Sequence, residues 1–85
     1  MLNKMREKKI TLVGLRTGEK GIVKHFLGKR TSRKKLNDLG LREGISVEKI
    51  SNMIFEGPVT VKVSQTEIAI GYKMAEKIIV EKTDK

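Results

Sequence analysis

Apolar and polar positions trade places most regularly in Val59-Thr60-Val61-Lys62-Val63. That period of two predicts a strand with Val59, Val61 and Val63 facing inward. Pro58, just ahead of it, cannot donate to a ladder and marks the strand's beginning. Ile10-Thr11-Leu12 predicts a strand running to about Leu15, followed by turn chemistry at Thr17-Gly18. Residues 21–27 predict another, ended by Gly28. Its apolar set, Ile22, Val23, Phe26 and Leu27, breaks strict alternation, which points to a bulge or to two partly buried faces. Ile45, Val47 and Ile50 predict a third strand, again with a bulge where the period slips. Residues 52–57 then read as a hairpin loop, and Ser64-Gln65-Thr66 as a turn. Glu67-Ile68-Ala69-Ile70 and Ile78-Ile79-Val80-Glu81 predict the last strands. Between them, residues 71–77 hold room for one helical turn that gathers Met74, Ala75 and Ile78.

A helix is predicted from about Ser32 to Leu39, with Thr31 or Ser32 as its cap. Leu36 and Leu39 lie three apart and share a face. Gly40 follows where a helix stops on a left-handed residue, and Leu41 is placed to touch Leu36. Short strands, tight turns and so little helix predict a mainly β domain whose small sheet closes on itself as a partly open barrel of five to six strands. Without a long crossover helix, parallel pairing is not expected. The expected organisation is a flexible segment at 1–9, one domain at 10–81 and a tail at 82–85.

Composition narrows the setting. The 85 residues include no cysteine, so neither disulfides nor thiolate metal sites are available, and a cytoplasmic location is expected. The longest apolar run, Ile78-Ile79-Val80, falls far short of the roughly 20 residues of a membrane helix, so direct membrane insertion is not expected. Nineteen Lys and Arg against ten Asp and Glu give a formal net charge of +9. Such a balance suits an anionic partner, although it also serves plain solubility.

Few residues carry recognisable chemistry. His25 has no ligand at a metal-binding spacing, and the acidic residues are scattered. Neither a phosphate-cradling glycine loop nor a nucleophile elbow is present. No enzyme activity, cofactor or metal site is therefore expected. Three features suggest binding instead. Lys29, Arg30, Arg33 and Lys34 belong to a basic run at the helix start, the end where the helix dipole disfavours cations. The same run also reads as a solvated charge cluster. Met53, Ile54 and Phe55 place large apolar residues at a hairpin tip, either folded over the barrel's open end or exposed to a partner. Tyr72 is a candidate interface anchor.

The ordered series is more specific than any of these. Leu15-x-x-Gly18-x-x-Gly21, Leu36-x-x-Leu39-Gly40-Leu41-x-x-Gly44-x-x-Val47, Gly57-Pro58-Val59-x-Val61, Ile68-Ala69-Ile70 and Ala75-x-x-Ile78-x-Val80 span nearly the whole chain. Together they resemble the ferrous iron transport protein A (FeoA) family. The resemblance implies an SH3-like barrel acting as a cytoplasmic accessory of ferrous iron uptake. Its implied partner is a membrane ferrous-iron transporter with a cytosolic GTPase domain, of the FeoB type. A related barrel ends the metal-dependent repressors of the diphtheria-toxin-repressor class; without a helix-turn-helix ahead of it, a complete repressor is not expected. Glu43 stands where the family usually has proline, and Gln65 where it often has glycine. A positive φ at Gln65 would strain it.

Two other readings accompany this one. Nucleic acid could bind the basic face, but Phe26, Phe55 and Tyr72 are few for stacking bases. The barrel could sense iron directly through His25 and nearby carboxylates. Weak self-association through an exposed edge strand is also compatible with the pattern.

Overall fold

Valine alternation builds the strand at the centre of the core, and the remaining elements fold around it. The computed structural model describes residues 9–50 and 57–83. The strands are β1 (Lys9–Thr11), β2 (Lys20–Phe26), β3 (Ser46–Lys49), β4 (Val59–Val63), β5 (Thr66–Ile70) and β6 (Ile78–Lys82). Helix α1 (Arg30–Asp38) joins β2 to β3, and the single turn α2 (Tyr72–Ala75) joins β5 to β6. All pairings are antiparallel, in the order β1-β6-β2-β3-β4-β5. The two end strands do not pair with each other, so the sheet curls without closing. This is the mainly β, partly open barrel with a short helix that the sequence predicts.

Val59, Val61 and Val63 all point inward, joined by Leu12, Val47, Ile78 and Val80 in one core. Burying a side chain of this kind fully is worth about 1.5–3 kcal/mol, so this cluster holds the barrel together. The expected bulge in β2 lies between Val23 and His25, where its pairing with β6 shifts register.

Some boundaries differ from the sequence reading. The first strand stops at Thr11, and Leu12–Gly14 forms a 3-10 turn. Leu12 and Leu15 are both buried. A strand would send residues three apart to opposite faces, whereas one tight turn brings both inward. No register shift interrupts β3. Its inward positions are Val47 and Lys49, so the period of two continues through a lysine, and Ile50 is only half-buried. The positive φ of the β4–β5 turn falls on Ser64, at 61°, rather than on Gln65. The last strand runs on to Lys82, which pairs with Gly21 and bonds Glu19 at 2.9 Å.

Candidate functional site

Helix α1 carries Arg30, Arg33 and Lys34 of the predicted surface residues, with Lys29 as its N-cap. Its first residue is Arg30, two positions earlier than the sequence suggests. Lys29 has the extended backbone of an N-cap, φ −76° and ψ 162°, and makes no side-chain cap bond. Thr31 and Ser32 are therefore inside the first turn, where their hydroxyls do not cap. No acidic residue lies in that turn. The helix thus begins on uncapped amides among exposed cations.

Its other end is well built. Gly40 has φ 98°, a conformation costly for any residue with a Cβ. The Gly40 amide donates to Asn37 at 2.9 Å, and the Leu41 amide reaches back to Leu36 at 2.9 Å. These are the paired bonds of a Schellman stop, with Leu36 and Leu41 both buried beneath it. Leu39, expected beside Leu36, is 47% exposed instead. A three-residue step leaves it about 60° round the helix from Leu36, and at the last turn that offset carries it off the barrel.

Lys29, Arg30, Arg33 and Lys34 are all exposed. Lys34 lies 3.9 Å from Asp38 one turn on, a solvated pair worth a few tenths of a kcal/mol at most. Tyr72 opens α2 and is half-buried, not a freely exposed anchor. Met53, Ile54 and Phe55 lie outside the described residues. His25 is exposed, and among the described residues no three His, Asp or Glu side chains gather.

Between α1, β2 and the loop after Gly40 lies a hollow of about 340 Å³. Its floor is Val23, Phe26, Leu36 and Leu41, and its rim is Arg33, Asn37, Arg42 and Glu43. Gly28 keeps Phe26 in the floor: a Cβ at Gly28 would sit 2.4 Å from the ring's Cζ, so the ring lies over bare backbone. Among the described residues, neither Arg33 nor Arg42 takes part in a side-chain hydrogen bond or ion pair. Of the candidate surface residues that the structure describes, only Arg33 lines the hollow. Arg42 is not among the residues predicted from sequence; the signal for it is its place just after the helix stop.

A second feature the sequence reading missed is Lys49, which is 2% exposed. Its ammonium donates to the Leu15 carbonyl at 2.6 Å and more weakly to Val13 at 3.4 Å. Burial pushes its pKa below the ordinary lysine value, while the negative charge of Glu19 opposes the shift. Glu19 accepts the Arg16 amide at 2.8 Å and pairs with Lys82, and both hold its carboxyl below the usual range. These contacts tie the β1–β2 connection to β3 and β6, making Lys49 part of the scaffold.

A curled antiparallel sheet with one basic helix between its second and third strands defines the class: a small SH3-like module. The FeoA domain model matches residues 10–82, and the chain belongs to the FeoA family. It is 30% identical to an iron uptake regulatory protein (FeoA) of known crystal structure, over 89% of this chain and 100% of that one, with a TM-score of 0.84. A zinc-complexed FeoA from Stenotrophomonas maltophilia, an SH3 domain protein put forward as a ferrous iron transport activating factor, is 23% identical. That match covers 84% of this chain and 88% of the other, with a TM-score of 0.71. A manganese-dependent transcriptional repressor shares the fold at 17% identity and a TM-score of 0.82, over 91% of this chain but 43% of its own. No curated protein sequence matches significantly. The FeoA family is associated with ferrous iron transport.

Proposed function

We propose that the chain is a cytoplasmic accessory protein of ferrous iron uptake that binds the cytosolic GTPase domain of a FeoB-type membrane transporter and modulates it. The observation that carries this reading is the FeoA likeness along residues 10–82. The module acts by binding, without catalysis: the motifs it shares with the family are leucines, glycines and valines that build a barrel. The net charge of +9 and the exposed cations of α1 favour an acidic docking surface. Lys29, Arg30, Arg33 and Lys34 form the core of the proposed contact, with Met53, Ile54, Phe55 and Tyr72 as further candidates. Among the described residues no helix is long and apolar enough to cross a membrane, so contact through the transporter's cytosolic part fits better than insertion beside it. A pull-down with the isolated GTPase domain tests the reading. Retention at low salt that fades as salt rises supports it; no retention at any salt concentration contradicts it.

A further inference from the structure

The hollow beside α1 combines two properties that the exposed lysines lack. Its floor is apolar and already well packed: Val23, Leu36 and Leu41 are each under 5% exposed, and Phe26 is 9% exposed. A volume of about 340 Å³ over an apolar base has room for one or two side chains. Two guanidiniums without described partners, Arg33 and Arg42, stand on the rim and, among the described residues, outnumber its one carboxylate, Glu43. Arginine binds carboxylates in a planar, two-pronged fashion, so this rim discriminates as well as attracts.

We propose that this hollow seats a large aliphatic side chain from an acidic segment of a partner protein, with flanking carboxylates of that segment held by Arg33 and Arg42. The proposal rests on reading the chain as a docking module and specifies the chemistry of the segment it takes. Charge complementarity selects an acidic occupant. The floor selects an aliphatic anchor. Among the described lining residues Phe26 is the one aromatic ring; it is 9% exposed with its outer edge against Gly28, so it offers a base little surface, which disfavours nucleic acid.

Amide chemical shifts of the isotope-labelled full chain test this in three titrations. The probes are a short peptide of glutamates around a central leucine, the same peptide with alanine at the centre, and a single-stranded oligonucleotide. The leucine peptide is expected to shift Val23, Phe26, Arg33, Leu36, Leu41 and Arg42 together. The alanine peptide is expected to bind at least severalfold more weakly. Arg42→Glu, at an exposed rim position that leaves the core intact, is expected to weaken the leucine peptide roughly tenfold. Equal shifts from both peptides, shifts confined to the exposed cations of α1, or stronger perturbation of the hollow by the oligonucleotide each overturn the proposal. So does the absence of any shift with the leucine peptide at high concentration. A fourth titration with the transporter's GTPase domain separates the two claims. Binding elsewhere on the barrel removes this proposal and leaves the functional reading standing. Peptide in the hollow with no response to the GTPase domain removes the functional reading and leaves the hollow as a site for another acidic partner.

Discussion

Lys49 occupies a buried position, where lysine is rare unless its charge finds partners, and its ammonium donates there to the Leu15 and Val13 carbonyls. Because burial depresses its pKa, the folded chain holds this proton less tightly than the unfolded chain does. The charged form therefore weakens folding at neutral pH. That penalty is relieved as pH climbs through the depressed folded value towards the ordinary value of 10.5. Denaturant titrations of wild type and Lys49→Met over mildly to strongly alkaline pH are expected to show wild type gaining relative to the variant. A constant difference would mean that Lys49 titrates normally. Glu19 acts in the opposite range: its depressed pKa adds stability that is lost as pH falls through the folded value. In the sequence the apolar series runs from Val47 to Ile50, a broken period that predicts a bulge, whereas the folded strand keeps its period through Lys49. The alternation itself pointed to Lys49, and residue type masked it.

The two ends of α1 differ in how readily sequence reveals them. Its stop was legible because Gly40 and Leu41 answer a backbone need that few other residues meet, φ 98° and a buried contact back to Leu36. Replacing Gly40 with alanine is expected to lower stability by about 1–2 kcal/mol in chemical denaturation, since a Cβ clashes in that conformation. The start was misplaced because Thr31 and Ser32 offer hydroxyls, while the backbone breaks at Lys29, whose side chain caps nothing. Lys29→Asp supplies both an acceptor and a charge that suits the helix dipole, and is expected to raise stability by about 1 kcal/mol. The same change removes a cation from the proposed contact, so a more stable chain with weaker partner binding is the expected pair of results. Unchanged binding would move the contact away from the helix start.

At the scale of the whole molecule, the spacing of leucines, glycines and valines was enough to indicate the barrel and the FeoA family, since those residues set where the chain turns and which way it faces. The hollow was not legible. It forms where α1 meets β2 and the loop after Gly40, and Arg33 and Arg42 become neighbours across it only once the Schellman stop has folded the chain back. Charge works over the same scale: with +9 spread over a small domain, association with an acidic surface should be fast at low salt and slow as ions screen it. The most direct test is a calorimetric binding isotherm of the chain with the cytosolic GTPase domain of a FeoB-type transporter, repeated with Arg33→Glu/Arg42→Glu. Saturable binding that falls at least tenfold in the double variant is the expected result, two charge-assisted contacts being worth that or more. No saturable binding of the wild-type chain would contradict the account.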